Sequence, residues 1–166
     1  MHTQLFIDGA WTDGAGGQQI PVLNPATGAT EGSVAHARNE DLERAAASAD
    51  KGFREWKRRS AFERSKILRR AAELIRERAD AIARAMTIEE GKPLHESRAE
   101  TMSAADVTDW FAEEARRTYG RVIPSRSEDV LQLIIKEPVG PVAAFSPWNF
   151  PVVLATRKIA GALAAG

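Results

Sequence analysis

A change in hydrophobic period divides this chain and limits the folds open to it. Apolar residues recur every three to four positions over residues 39–119, whereas shorter apolar runs separated by Gly, Pro, Asn and Asp precede and follow this region. The first pattern places apolar side chains on one face of a helix, and the second is typical of strands joined by turns. The sequence therefore predicts an α/β fold with a helical middle and strands on both sides.

Capping signals predict where the first two helices begin. Asn39 is a candidate N-cap for the first helix, followed by acidic residues where the helix dipole favours negative charge. Ser60 and Glu63 have the spacing of a capping box and are expected to open the second helix. The side chains expected to face the core from these helices are Leu42, Ala45, Ala46, Ala49, Phe53, Trp56, Ile67, Leu68, Ala71, Leu74 and Ile75.

Two further helices follow. Asp80 is the candidate cap of the third helix, which is predicted to end at Gly91-Lys92-Pro93 because glycine stops a helix and proline cannot continue it. Glu89 and Glu90 are neighbours that face different directions on this helix, so a dipole or surface role is expected for them and not an acid–base pair. The fourth helix is predicted over about 94–118. The expected core residues are Ile82, Ala83, Met86, Ala99, Met102, Trp110 and Phe111.

Strand-type segments flank the helices. Leu5-Phe6-Ile7 and Ala10-Trp11 surround Asp8-Gly9, a dipeptide that favours a tight hairpin. Apolar runs at 130–135 and 139–145 are predicted strands.

Residues 152–166 are Ala-rich and predict a final helix. A strand, a tight loop and a helix open a βαβ unit, whose second strand would have to lie beyond residue 166. We therefore expect an incomplete α/β fold.

Composition excludes several classes of function. The 166 residues include no cysteine, so they offer no disulfide, no thiolate metal site and no cysteine nucleophile. Lys+Arg and Asp+Glu both number 23, which argues against a protein dedicated to nucleic acid or to a membrane surface. His2, His36 and His95 are isolated, so no metal site is expected. No signal peptide or membrane-length apolar run is visible, which favours the cytoplasm.

The segment Pro147-Trp148-Asn149-Phe150-Pro151 is the strongest candidate for a functional site. It follows a predicted strand, and ligands of open α/β sheets bind at the carboxyl ends of strands. The two prolines restrict the backbone around Asn149. A fixed amide donor at this place can stabilise a developing oxyanion. The alternative is that Asn149 only closes a turn, a common role of asparagine.

Several blocks of the sequence, in matching order and spacing, resemble the aldehyde dehydrogenase superfamily. Together they cover essentially the whole chain, and within the superfamily the sequence most resembles the succinate-semialdehyde dehydrogenase group and its dicarboxylic-semialdehyde relatives. The blocks are NPATG at 24–28, TIEEGKPL at 87–94, WFAEE at 110–114, EPVGPVAAFSPWNFP at 137–151, TRK at 156–158 and ALAAG at 162–166.

The resemblance implies roles for five residues. Asn149 matches the family's oxyanion asparagine, whose side-chain amide helps to hold the oxygen of the thiohemiacetal formed from the aldehyde. Ser146, Pro147, Trp148 and Asn149 match the strand end that lines the site for NAD or NADP, largely through backbone atoms. Arg157 matches an arginine that pairs with the distal carboxylate of the substrate, and a guanidinium suits a carboxylate because it donates two parallel hydrogen bonds. The alternative for Arg157 is a solvated helix arginine.

The resemblance also implies a domain arrangement. Residues 1–120 would be the N-terminal strands and helices of a Rossmann-like cofactor-binding domain. Residues 121–138 would supply a strand of the bridging sheet that forms the oligomer. Residues 139–166 would be the first strand, loop and helix of the dinucleotide-binding sheet.

The implied activity belongs to a longer protein. It is the NAD(P)-dependent oxidation of succinate semialdehyde or a related aldehyde to the acid, by a homo-oligomer such as a dimer or tetramer. The family's cysteine nucleophile, glutamate base and ribose-binding lysine would lie downstream of Gly166, so the 166-residue chain alone is predicted to be inactive. The alternatives are a non-catalytic binding or assembly module and an aldehyde dehydrogenase with another substrate.

Overall fold

The computed structural model of the chain describes residues 3–166 and consists of five helices and six short strands in that range. The mixed content agrees with the predicted α/β class. The helices are α1 (Asn39–Trp56), α2 (Ala61–Glu77), α3 (Ala79–Glu90), α4 (Leu94–Glu114), which runs into a 3-10 turn at Ala115–Arg117, and α5 (Pro151–Ala165). The strands are β1 (Leu5–Ile7), β2 (Ala10–Thr12), β3 (Gln19–Leu23), β4 (Thr30–Ala35), β5 (Arg121–Ile123) and β6 (Gln132–Ile134).

The strands form three separate antiparallel pairs, β1 with β2, β3 with β4, and β5 with β6. Asp8 and Gly9 turn the first hairpin with φ values of 51° and 77°, as their sequence predicts. The strand predicted over 139–145 is wrong, because no strand among residues 3–166 pairs with it and an unpaired segment forms no ladder hydrogen bonds. β6 is shorter than the predicted run at 130–135 for the same reason, since β5 offers only three residues to pair with it.

Two of the predicted helix caps are wrong. α1 follows Arg38, and Asn39 is its first residue; the carboxylate of Asp41 accepts hydrogen bonds from the backbone N–H of Arg38 at 3.0 Å and of Ala15 at 2.9 Å. Asp80 also lies inside its helix, where it accepts a hydrogen bond from Arg98 at 2.8 Å.

The capping box predicted for α2 is confirmed. The Ser60 hydroxyl accepts from the backbone N–H of Glu63 at 3.2 Å, and the Glu63 carboxylate accepts from the backbone N–H of Ser60 at 2.8 Å. This reciprocal pair satisfies two amides that have no partner inside the helix.

α4 is the central helix and packs against α2, α3 and α5. Its buried face carries small and polar side chains, so neighbouring helices approach closely: Ser97, Glu100, Thr101, Ala104, Ala105, Thr108 and Ala112. The hydroxyls of Thr101 and Thr108 donate to the carbonyls of Ser97 and Ala104, which satisfies two buried polar groups without an external partner.

The predicted core is partly wrong. Leu68, Ala83 and Met86 are buried, as expected. Six residues expected in the core are exposed: Leu42, Ala46, Ala49, Ile67, Ala99 and Trp110. On α4 the error has a clear cause, because the buried face follows the small residues and leaves the largest apolar side chain, Trp110, 64% exposed.

α5 is fixed at both ends by charged side chains from other helices. The buried Arg64 of α2 donates from Nε to the carbonyl of Ala164 near the C-terminus of α5 at 3.3 Å. Glu100 of α4 accepts from the first turn of α5. Each charge complements the partial charge of the helix end that it meets. Among residues 3–166, no helix has the length and apolarity that a bilayer crossing requires.

Candidate functional site

The loop before α5 presents Asn149 to solvent. Trp148 and Asn149 form a turn, and Pro151 is the first residue of the helix, a place where the missing N–H of proline costs no hydrogen bond. Ser146, Pro147, Trp148 and Asn149 are all exposed, with Trp148 at 80%. Within the described residues, the side-chain amide of Asn149 makes no hydrogen bond, so it remains available to a ligand.

Glu100 caps the first turn of α5 from a neighbouring helix. Phe150 stands at the N-cap of α5 and provides no side-chain acceptor. The Oε1 atom of Glu100 instead accepts from the backbone N–H of Val152 at 3.0 Å and of Val153 at 3.1 Å. Because Pro151 has no N–H, this one oxygen satisfies both amides that the first turn leaves free.

Lys92 connects Glu100 to the Asn149 loop. Its Nζ atom donates to Glu100 Oε2 at 2.5 Å and to the backbone carbonyl of Asn149 at 2.7 Å. The same ammonium lies 3.3 Å from Glu90 Oε1 and 4.2 Å from the centroid of the Phe150 ring. The three acceptor oxygens match the three N–H donors of a lysine, and the ring face adds a cation–π contact.

The three charged side chains, which we call the Lys92 cluster (Glu90, Lys92 and Glu100), are shielded from water. Their side chains are 12%, 10% and 2% exposed, respectively. Burial by itself would lower the pKa of Lys92, but hydrogen bonds to Glu100 and Glu90 outweigh burial and raise the pKa above its ordinary value. Lys92 is therefore an ammonium across the physiological pH range. The positive end of the α5 dipole offsets part of the excess negative charge in the cluster.

The surface role predicted for Glu90 is wrong. Its Oε1 atom faces Lys92, and its Oε2 atom is buried without a hydrogen-bond partner among the described residues. Glu90 ends α3, and Gly91 then turns the chain with a φ of 81°, which brings Lys92 back beside it. Neighbouring residues do not share a helix face, but the turn after α3 makes this contact possible.

Sequence reasoning missed Lys92 and Glu100 as site residues. Lys92 falls in the predicted helix stop and in the TIEEGKPL block without a role of its own, and no role is predicted for Glu100. The helix periodicity nevertheless indicates that Glu100 is buried. It follows Ser97 by three positions and precedes Ala104 by four, so it lies on the buried face of α4. A carboxylate in phase with buried alanines needs partners, and two of them, the amides of Val152 and Val153, lie more than fifty residues away in the sequence.

Arg157 lies apart from the Lys92 cluster. It is exposed on α5, six residues after Pro151 and thus about 9 Å further along the helix axis. It makes no ion pair within residues 3–166, so the structure leaves its guanidinium free for an anionic group. In the same part of the chain, no group of three or more His, Cys, Asp or Glu could hold a metal ion; His2 lies outside it.

An apolar groove of about 860 Å³ runs between α1, residues 140–145 and α5. Its large lining side chains are Phe53, Trp56, Phe145, Ile159 and Leu163. Neither Asn149 nor Arg157 lines it. This large groove is therefore separate from the residues with predicted roles.

Comparisons with known proteins identify the family of the chain. Residues 11–166 match the model of the aldehyde dehydrogenase family. The whole chain is 47% identical to glutarate-semialdehyde dehydrogenase of Pseudomonas aeruginosa and 43% identical to an NADP(+) succinate-semialdehyde dehydrogenase of Escherichia coli, and it spans 34% of the length of each. A crystal structure of PnpE in complex with nicotinamide adenine dinucleotide superposes with a TM-score of 0.96 at 33% identity, over 100% of this chain and 34% of that one. The resemblance noted in the sequence is thereby confirmed, and the chain belongs to the aldehyde dehydrogenase family.

Proposed function

We propose that the complete protein that carries this chain is a cytoplasmic enzyme that oxidises succinate semialdehyde, or a dicarboxylic semialdehyde like it, to the acid with NAD or NADP. The observation that carries the proposal is the exposed amide of Asn149, free of partners among the described residues and fixed by its backbone at the start of α5. Relatives named as glutarate- and succinate-semialdehyde dehydrogenases support this substrate class. The 166 residues include no cysteine, and the resemblance implies that the family's nucleophile lies outside them, so the chain alone is proposed to be inactive.

In this proposal Asn149 acts on the oxygen of the reacting aldehyde. As a nucleophile adds to the carbonyl carbon, that oxygen gains negative charge, and the side-chain N–H of Asn149 donates a hydrogen bond to it. Such a donor is most effective when it is already oriented, because no reorganisation is then needed during the reaction. Loss of one such donor lowers kcat by about 10²–10³.

In this proposal the segment 139–149 would contact the dinucleotide. Within the described residues, no backbone N–H or C=O of 139–148 takes part in a hydrogen bond, so these groups remain available to polar atoms of a ligand. Ser146, Pro147 and Trp148 are exposed beside Asn149 and would line the site. When bound, NAD or NADP supplies the hydride acceptor. The proposal includes both cofactors.

Arg157 would bind the distal carboxylate of the semialdehyde. Its guanidinium is exposed and makes no ion pair within residues 3–166, and it can donate two parallel hydrogen bonds to a carboxylate. This role would explain a preference for semialdehydes that carry an acid group.

The β5–β6 hairpin would contact another copy of the protein. Three of its apolar side chains are largely exposed, namely Val122, Leu133 and Ile134. An exposed two-stranded pair with apolar side chains is unusual for an isolated chain and is typical of a subunit contact. We therefore propose a homo-oligomer.

The test is to express the complete polypeptide and measure the reduction of NAD and of NADP with succinate and glutarate semialdehydes. The proposal expects turnover with at least one of these pairs, and a kcat about 10²–10³ lower in Asn149→Ala. No turnover with any pair would instead favour the alternative, a binding or assembly module. Turnover only with aldehydes that lack a carboxylate would support the aldehyde dehydrogenase class with another substrate.

A further inference from the structure

We propose that Glu100 and Lys92 are positioning residues that orient the Asn149 amide, acting through its backbone carbonyl and through the start of the helix that follows it. This inference rests on the proposed function, because it needs Asn149 to meet a reacting oxygen. It adds a requirement outside the loop at 147–151, namely a buried ion pair between Glu100 of α4 and Lys92 in the turn before that helix.

Lys92 restrains the backbone carbonyl of Asn149. Lys92 Nζ donates to the Asn149 carbonyl oxygen at 2.7 Å, and its contact with the Phe150 ring at 4.2 Å restrains the next residue. A hydrogen bond to the carbonyl limits rotation of the Asn149 ψ angle, because that rotation would carry the oxygen away from Nζ. The ammonium therefore restrains the backbone C-terminal to the side chain.

Glu100 restrains α5, the helix that follows Asn149. Glu100 Oε1 accepts from Val152 and Val153, which fixes the first turn of α5, while Glu100 Oε2 accepts from Lys92. One carboxylate thus links the helix start and the lysine. The exposed loop contains no other restraint of this kind on Asn149, whose side chain has no partner of its own in the described chain.

Burial of Glu100 makes any other geometry of the loop unfavourable. The Glu100 side chain is only 2% exposed, so its charge needs both the ammonium and the two amides. An alternative geometry of the loop would leave a buried charge without one of these partners. The cost of that geometry makes the observed orientation of Asn149 the dominant one, which is the preorganisation that an oxyanion donor requires.

The experiment uses the complete polypeptide and four variants: Glu100→Gln, Asn149→Ala, the combination of the two, and Glu96→Gln as a control. Gln at position 100 keeps the size of the side chain, but its one oxygen cannot serve both Lys92 and the two amides of α5, because its amide nitrogen accepts no hydrogen bond. Glu96 lies on the same helix with a side chain that is 59% exposed. Its substitution is expected to leave kcat unchanged.

The kinetic outcome separates positioning from general stability. Glu100→Gln is expected to lower kcat about tenfold while KM for the semialdehyde changes less than about twofold. In the Asn149→Ala background the same substitution is expected to change kcat by less than about twofold, because the group that it orients is already gone. An equal loss in both backgrounds, or no loss in either, would overturn the inference.

A second readout needs neither turnover nor cofactor. In Glu100→Gln, the backbone amides of Val152 and Val153 are expected to exchange with deuterium at least about tenfold faster, whereas the amide of Ala160 in the middle of α5 keeps its rate. Faster exchange at all three amides would indicate a merely structural role and would contradict the inference. If the polypeptide turns over no semialdehyde, the proposed function fails and the catalytic role of the restraint fails with it; faster exchange at Val152 and Val153 alone would still show that Glu100 fixes the start of α5, and unchanged exchange would refute that restraint too.

Discussion

The ammonium of Lys92 donates a hydrogen bond to the backbone carbonyl of Asn149 at 2.7 Å, across a separation of 57 residues. This bond joins the turn between α3 and α4 to the loop before α5. Asn149, the one loop residue with a predicted catalytic role, is therefore held by a buried ion pair as well as by its own loop. The orientation of Asn149 is therefore a property of three segments of the chain.

Removal of the Lys92 charge is expected to destabilise the fold and to change its response to alkaline pH. Lys92→Met leaves two shielded carboxylates without their cation, a loss of about 3 kcal/mol in the free energy of unfolding at neutral pH. Because the folded state raises the pKa of Lys92 above 10.5, the stabilisation is complete below that value and is lost as pH rises through the higher folded pKa.

Urea unfolding of the wild type and of Lys92→Met at a series of alkaline pH values measures this difference. The gap in free energy between them should stay constant up to pH 10.5 and shrink above it. Lys66→Met, on the exposed face of α2, is the control and should follow the wild type. A gap that widens with pH would contradict the prediction.

Asp41 is expected to make stability sensitive to acid. Hydrogen bonds from the backbone N–H of Arg38 and Ala15 lower the pKa of this carboxyl below 3.8. The carboxylate therefore stabilises the fold above pH 3.8, and this contribution is lost as pH falls through the lower folded pKa. Asp41→Asn should lower the melting temperature at neutral pH and approach the wild type in strong acid. The exposed Asp129→Asn is the control, and an equal effect of both substitutions at neutral pH would refute the assignment.

Two glycine-to-alanine substitutions are expected to have opposite signs. Gly91 has a φ of 81°, and a Cβ there would lie 2.9 Å from Pro25 Cγ, so Gly91→Ala should destabilise the fold by about 1–2 kcal/mol. Gly52 lies inside α1, and a Cβ there would meet no atom of the described residues within 4 Å, so Gly52→Ala should stabilise the fold by about 0.5–1 kcal/mol. Thermal unfolding of the two variants measures both signs. The same sign for both would show that backbone conformation does not decide the effect.

Adjacent residues of α2 provide a matched test of the core. Leu68 is 3% exposed within the cluster formed with Ala112, Ala115, Ala160 and Ala164, so Leu68→Ala should cost about 2–5 kcal/mol. Ile67 is 42% exposed, and Ile67→Ala should cost less than about 1 kcal/mol. Chemical denaturation distinguishes them. Similar losses would mean that the packing of α2 differs from the structure described.

Arg157→Leu tests the proposed contact with the substrate carboxylate. In the complete polypeptide, KM for succinate semialdehyde should rise about tenfold or more, since a charge-assisted contact is lost. KM for an aldehyde without a carboxylate should change little. Lys158→Leu alters the neighbouring charge and serves as the control. An unchanged KM for succinate semialdehyde in Arg157→Leu would show that Arg157 is only a solvated helix residue.

Local signals were sufficient for much of the fold. The Asp8-Gly9 turn, the Ser60–Glu63 capping box and the stop at Gly91 depend on residues within a few positions of each other, and each was predicted correctly. The Pro-flanked loop at 147–151 was also recognisable, because its residues are contiguous. These features follow from backbone conformation and short-range hydrogen bonds, which a sequence contains directly.

Only the tertiary structure decided which face of α4 is buried and what fixes Asn149. The sequence predicts that the face of α4 with the large Trp110 is buried. The buried face is instead the one with small residues and Glu100, because small side chains let neighbouring helices pack closely. A buried carboxylate is stable only when its partners arrive, and those partners are an ammonium eight residues away and two amides more than fifty residues away. Strand formation at 139–145 was decided in the same way, because a ladder needs a second strand and local propensity cannot supply one.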